Sequence, residues 1–273
     1  MRPRALPAPA KVRWAMLVTL LLAWELVPRT GLIPELLLPA LSSTLKVLYQ
    51  DSHIYWAALL VTLYEVALAM LIACGGGIIT GAVVGGIARL RDLLLPVFSS
   101  LYAVPMVILY PVFTAWFGIG SESKIAFAGI YAFFPVMLST AAGIRTIDPQ
   151  FILAARSMGA TLTQQVTRVI IPASLPAVFA GLRLGGALAI IGVVVSEMLT
   201  AAAGIGYLVT LNRTILDSAR VFAALLMILV LSVAYYMLAR AIERRVVVWQ
   251  SVGRAPKAAQ AEGGPGVPVA AAA

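Results

Sequence analysis

At 62% hydrophobic and 11% charged residues, a chain of 273 residues is too apolar for a soluble domain, so the composition places it in a membrane. The formal net charge of +9 is compatible with nucleic-acid binding, but the basic residues fall on alternate connections between apolar runs, as in a multi-span membrane protein. One cysteine, Cys74, and one histidine, His53, leave no disulfide framework, no cysteine-based metal site and no credible Ser/His/Asp set within the chain.

In chain order, Arg2, Arg4, Lys11 and Arg13 mark residues 1–13 as a basic, cytoplasmic N-terminus. The apolar run 14–28 follows; no small-residue cleavage site comes after it, so it reads as an uncleaved first span. The second run, 56–88, is longer than one crossing needs and is expected to begin as an external helix. Within it Gly77, Gly81 and Gly85 recur every four residues, which puts them on one helix face suited to close approach by another helix. A phosphate-binding loop is excluded, because no Gly-x-x-x-x-Gly-Lys-Ser/Thr occurs in the chain. The third run, 94–117, carries Pro105 and Pro111 beside Met106 and Tyr110; it is expected to be irregular, with core packing the leading reading for Met106 and Tyr110 and a place on the solute pathway the alternative, since such a bend can line a cavity. The fourth run is 125–144. Glu25 and Glu65, near predicted ends, are expected to be solvated.

Within the loop 145–174, residues 153–172 are polar enough for water yet lie between strongly apolar runs. Asp148 and Pro149 supply an N-cap and a first-turn proline, so a short helix starts there and stops at Gly159, which suits a left-handed C-cap. Thr161 and Gln164 have capping-box spacing, and Leu162, Val166, Val169 and Ile170 recur on one face before Pro172, the expected end of that helix. The result is a helix-turn-helix with an exposed apolar stripe. A fifth run, 175–201, contains Arg183, expected to snorkel, and Glu197, which either lines a hydrated pathway or pairs with a backbone group or a neighbouring helix. The sixth run, 221–241, ends at Arg240, Arg244 and Arg245, and residues 249–273 read as a disordered tail. Arg89, Arg91, Arg145, Arg156 and Arg168 share a side with the two termini, whereas Arg29, Lys46, Lys124 and Arg213 are scattered on the other. Both termini and the 145–174 loop are therefore expected in the cytoplasm.

The segment LAARSMGATLTQQVTRVIIP resembles the signature of ABC-importer permeases, Glu-Ala-Ala, three residues, Gly, nine residues, Ile-x-Leu-Pro. Ala154, Ala155 and Gly159 occupy the Ala-Ala and Gly positions, and Val169, Ile171 and Pro172 stand where the family has Ile, Leu and Pro. Leu153 replaces the family's Glu. The stretches AVPMVILYPVFTAWFGIGSESK, FFPVMLSTAAGIRTIDP and LPAVFAGLRLGGALAIIGVVVSEMLTAAAGIGYL are similar to the same family, in its nitrate, sulfonate and taurine branch. The resemblance implies an all-α, six-span type I permease domain over residues 14–248. Its cytoplasmic coupling helices, with Arg156 and Met158 among their docking residues, would dock on a separate ATPase. It further implies a homodimer in the lipid of a bacterial inner membrane, an external binding protein that delivers a small solute such as an organic or inorganic anion, and no nucleic acid. No cofactor is expected on this chain; ATP and Mg belong to the partner. A heterocyclic vitamin precursor is the alternative solute. A secondary transporter would need coupling-ion carboxylates at midplane, and a membrane enzyme would need a catalytic constellation that is not found.

Overall fold

The computed structural model describes residues 8–200 and 202–247, and among them the chain is helical without strands. The helices are α1 (Ala8–Arg29), α2 (Leu41–Gln50), α3 (Ser52–Gly86), α4 (Ala88–Tyr102), α5 (Tyr110–Phe117), α6 (Ser121–Arg145), α7 (Pro149–Ser157), α8 (Leu162–Gln165), α9 (Ile171–Thr200), α10 (Ile205–Thr214) and α11 (Ser218–Val246). A 3₁₀ turn, Met106–Leu109, precedes α5, and a π turn, Val166–Ile170, joins α8 to α9. The expected basic segment 1–13 and tail 249–273 lie wholly or mostly outside the described residues.

Helices α3, α6 and α9 form the packed centre. Lipid is as apolar as leucine, so helices in a membrane gain from close packing rather than from escaping water, and small residues allow it. The central cluster accordingly joins Val66, Ala69 and Ala73 of α3 to Ala128 and Ala132 of α6 and to Ala189, Ile190, Val193 and Val194 of α9. The face of Gly77, Gly81 and Gly85 lies against α6. A Cβ on Gly81 would sit 2.5 Å from the Met137 carbonyl oxygen, and one on Gly85 would sit 2.8 Å from Ala141 Cα. A second small face, not picked out in the sequence, does the same on α9: a Cβ on Gly185 would meet Val136 at 2.7 Å and one on Gly181 would meet Ser139 at 2.7 Å.

The span pattern differs from the six expected. Among the described residues, four helical segments are long and apolar enough to cross a membrane: α3, α6, the continuous run Leu162–Thr200, and α11. The third expected span is two pieces, Ala88–Tyr102 and Met106–Phe117, bent by 82° at the Pro105 break, and makes a fifth crossing if taken as one. Helix α1 has the length, 22 residues, but Lys11, Arg13, Glu25 and Arg29 lie within it and lower its apolar character. It is fixed to the chain at one end, where Glu25 pairs with Arg29 at 2.5 Å and accepts from the Ser42 backbone N–H at 2.9 Å, and Trp24 donates to the Pro39 carbonyl at 3.1 Å. Glu25 is thus a joint between α1 and the start of α2 rather than merely a solvated group. Helix α10 packs with Tyr55 and Ala58 of α3 and with Ala223 and Ala224 of α11, beside Val47 and Leu48 of α2.

Three charged side chains depart from expectation for one reason: each meets an opposite charge from a helix remote in sequence. Glu65 is fully buried and paired with Lys124 of α6, and it accepts from the Ser121 hydroxyl at 2.7 Å. Solvation does not describe it. Lys124 is likewise buried rather than scattered on a surface. Arg183 does not simply snorkel; it binds Glu243 of α11 at 2.5 Å and ties α9 to α11.

Candidate functional site

The hairpin between α6 and α9 is built from local signals that satisfy the backbone at each end. The Asp148 carboxylate accepts from the Gln150 N–H at 2.9 Å, and Pro149 fills the first helical position, where its missing N–H costs nothing. At the C-terminus Gly159 adopts φ +75°, with its N–H bonded to the Arg156 carbonyl and the Ala160 N–H bonded to that of Ala155. That pair of bonds is a Schellman turn. The next helix opens with a complete capping box, in which the Gln164 side chain accepts from the Thr161 N–H at 2.9 Å and the Thr161 hydroxyl accepts from the Gln164 N–H at 3.4 Å.

Gln165, which the sequence reading passed over, closes the hairpin. It is buried, donates to the Ala160 carbonyl at 2.9 Å and accepts from Arg156 Nε at 3.3 Å. Its signal was the second glutamine after a capping box, a polar residue on the side turned toward the preceding helix. Ala155 is buried in the same hairpin, so it shapes the turn from within instead of facing outward. Ala154, Arg156, Met158 and Gly159 are exposed, Ile171 is exposed, and Val169 and Pro172 are half-buried. Phe151, Leu153, Met158 and Leu162 turn large apolar surfaces away from the chain, with Met158 80% exposed. Two shallow clefts flank them, one of about 370 Å³ lined by Pro149, Gln150, Ile152, Leu153 and Arg156, the other of about 340 Å³ lined by Ala155, Met158, Ala160, Gln164, Arg168 and Val169.

Pro172 does not end the second helix as expected. The run continues unbroken from Leu162 to Thr200. The cause is the π turn just before the proline: Ile171 N–H bonds to the Val166 carbonyl, five residues back, and this wider turn shifts the register so that the ring at 172 falls in the first turn of α9. The hairpin is therefore continuous with a central helix of the fold.

The remaining candidates are held inside the chain. Met106 and Tyr110 are buried in an aromatic cluster with Phe113, Phe127 and Phe134, the Tyr110 and Phe127 rings meeting edge-on at 5.2 Å. Tyr110 and Thr200 share a hydroxyl hydrogen bond of 2.6 Å, which joins the bent segment to the end of α9. Glu197, one turn before Thr200, is 1% exposed. One of its oxygens accepts from the Thr62 hydroxyl at 2.7 Å and the other from the Gly206 N–H at 2.7 Å, while Thr62 Oγ1 accepts from the Ile205 N–H at 3.0 Å. Of the two roles open to Glu197, this geometry is pairing with a backbone group.

Residues 73–248 match the family described as binding-protein-dependent transport system inner membrane component. The chain is 30% identical over 231 residues to the putative aliphatic sulfonates transport permease protein SsuC of Bacillus subtilis, covering 84% of this chain and 83% of the relative. It is 31% identical over 241 residues to the taurine transport system permease protein TauC of Escherichia coli, covering 85% and 87%. Among solved structures, the inward-facing MetNI methionine ABC transporter superposes with a TM-score of 0.62 at 18% identity, over 74% of this chain and 98% of that one, a likeness of fold. The chain belongs to the binding-protein-dependent transport inner membrane components, the multi-pass permease subunits of ABC importers, which transport while a separate subunit hydrolyses ATP.

Proposed function

We propose that the α7–α8 hairpin is the coupling element of this permease and docks on the ATPase subunit through Ala154, Arg156, Met158, Gly159, Val169, Ile171 and Pro172, with Ala155 setting the turn from inside. The observation that carries this reading is a hairpin whose backbone is fully capped yet whose Phe151, Leu153, Met158 and Leu162 point away from the chain's own core. Apolar surface on a rigid, protruding frame is what a partner's groove receives. Because Leu162–Thr200 is one continuous helix, a displacement of the hairpin moves the packed centre of the membrane domain. Carrying a two-state equilibrium from 1:99 to 99:1 takes about 5.5 kcal/mol of differential interaction. The docking must be firm on that scale, which favours apolar contacts over an exposed ion pair.

In this reading residues 14–248 are the permease domain, the hairpin and both termini are cytoplasmic, two copies form the pathway, and lipid surrounds them. ATP and Mg bind the partner ATPase, and an external binding protein delivers the solute. The similarity to SsuC and TauC favours a small sulfonate or related anion. Gly159→Val tests the coupling role. No atom lies within 4 Å of the position a Cβ would take there, so any effect arises from the left-handed backbone, which costs a side-chain-bearing residue about 1–2 kcal/mol. Uptake and co-purification of the ATPase should both fall in Gly159→Val and largely return in Gly159→Asn, which tolerates φ above zero. Wild-type uptake and partner retention in the valine variant would remove the hairpin from the coupling role. Titrating the purified binding protein with taurine, an alkanesulfonate, nitrate and a heterocyclic vitamin precursor identifies the solute class.

A further inference from the structure

The ends of α3 and α6 remote from the hairpin share a buried charge pair that the coupling role does not use. Glu65 of α3 and Lys124 of α6 meet with side chains 0% and 6% exposed. The Ser121 hydroxyl donates to the same carboxylate oxygen, Oε1, that meets the lysine. No donor reaches Oε2, the one buried side-chain polar atom without a hydrogen-bond partner among the described residues. Glu197, bound to Thr62 one turn away on α3, is the contrast, since both of its oxygens accept a hydrogen bond. A buried ion pair favours the fold only when its remaining lone pairs are satisfied, and packed apolar side chains of similar volume are often as stable or more so. Stability therefore does not account for the Glu65–Lys124 pair, and ionisable residues within spans mark pathways.

Packing changes on either side of the pair. Toward the hairpin, α3 and α6 are in close contact: Val66 and Ala69 pack with Ala128, and a Cβ on Gly129 would meet Ile72 Cγ2 at 3.2 Å. Away from it, Val61 of α3, Ser121 and Lys124 of α6 and Thr200 of α9 line a cavity of about 210 Å³ together with Ile119. Ile119 is 79% exposed in the linker 118–120, where Gly118 at φ +78° ends α5 and Gly120 gives α6 no side-chain cap. The pair is thus the border between a tight helix interface and outer ends that enclose space behind a lightly held linker. We infer that Glu65 and Lys124 form a latch on the outer end of the solute pathway, an inference that rests on the coupled-transport reading above. Paired, they hold the outer ends of α3 and α6 together; parted, they let the cavity open to the outer face. Charges suit a contact that must break, because each ion is hydrated once the ends separate, whereas apolar side chains in the same places would resist water and hold the closed state. The oxygen without a donor means that parting breaks fewer hydrogen bonds.

The test uses the permease–ATPase complex in nanodiscs, in a Cys74→Ser background with Val61→Cys in the cavity wall. It reads the rate of alkylation by a bulky charged maleimide, with the ATPase free and with it trapped by ATP and vanadate. Trapping should raise the rate about tenfold in this parent and leave it nearly unchanged in E65M/K124M, because packed apolar side chains favour the closed state by an amount of that order. E65K/K124E, which keeps a pair that can part, should retain the rise. Thermal midpoint and retention of the ATPase check that both variants assemble. A rate in the parent that does not rise on trapping, or a rise in E65M/K124M as large as the parent's, would overturn the latch. Failure of both variants to assemble would make the pair a structural tie and overturn it as well. Ser157→Cys on the hairpin, labelled in parallel, separates this inference from the reading beneath it: a change on trapping at Ser157→Cys with none at Val61→Cys overturns the latch alone, and no change at either site overturns the coupling role too.

Discussion

A carboxylate buried between membrane helices has to find donors, and the first turn of a helix has donors to spare. Glu197 and α10 solve both problems together. The residue ahead of α10 is Gly204, at φ +104°, which has no side chain with which to cap, and a Cβ there would lie 2.0 Å from Glu197 Oε1. A local serine or aspartate cap is thus sterically shut out, and Glu197 and Thr62 satisfy the Gly206 and Ile205 N–H groups from other helices. Glu197→Ala should remove that support and leave buried donors unpaired, at about 1–3 kcal/mol for each. Glu197→Gln should cost less. Its carbonyl oxygen can still accept from Gly206, and its amide can donate to Thr62, whose hydroxyl then turns to the Ala58 carbonyl, 3.2 Å away. Thermal unfolding of the purified complex separates the two substitutions. An alanine variant as stable as the parent would show that the carboxylate does not hold α10, and a glutamine variant with normal stability but altered uptake would return Glu197 to the solute pathway.

Between elements, the decisive contacts are backbone to backbone at glycine. Gly81→Ala places a methyl group 2.5 Å from the Met137 carbonyl oxygen and 2.7 Å from Thr140 Cβ, so α3 and α6 must separate, at about 1–3 kcal/mol for an overpacked site. Gly86→Ala, at the exposed end of the same helix with nothing within 4 Å, should be neutral or slightly stabilising. The comparison is read as the difference in thermal midpoint between the two variants; equal midpoints would mean that the glycine face does not set the helix spacing. This face was legible in the sequence because its period of four lies within one helix, and so were the Asp148 and Thr161 caps and the Gly159 turn, which involve residues two to five apart. Glu65 with Lys124 and Arg183 with Glu243 were not legible, since partners 59 or 60 positions apart leave no periodic trace. Pro172 misled for a different reason. Its usual meaning as a stop assumes an α-helical register ahead of it, and the π turn removes that assumption. Helix α10 was hidden because its apolar side, Ile205, Leu208 and Val209, merges into the end of the fifth apolar run.

Across the whole molecule, arginine and lysine gather near span ends on the hairpin side, and this asymmetry sets orientation. Of the cations expected outside, Arg29 is paired with Glu25 and Lys124 with Glu65, while Lys46 and Arg213 have no acidic partner among the described residues; Arg220, just ahead of the sixth run, pairs with both Asp51 and Asp217. On the hairpin side, Arg145, Arg156, Arg168, Arg240, Arg244 and Arg245 have no acidic partner among the described residues. Arginine and lysine near span ends, counted whether or not they are paired, are what hold a loop in the cytoplasm. Helix α6 makes the consequence testable, because its 25 residues cross once and separate Ile119, 79% exposed before its start, from Ser157, exposed beyond its end. In a Cys74→Ser background, Ile119→Cys should react with a membrane-impermeant thiol reagent at the outer face of sealed spheroplasts. Ser157→Cys should react only after the membrane is opened, and less when the ATPase is bound over the hairpin. The reverse pattern would invert the orientation. Reaction of both from outside would mean that α6 does not span, and with it the placement of the hairpin against a cytoplasmic ATPase would fail.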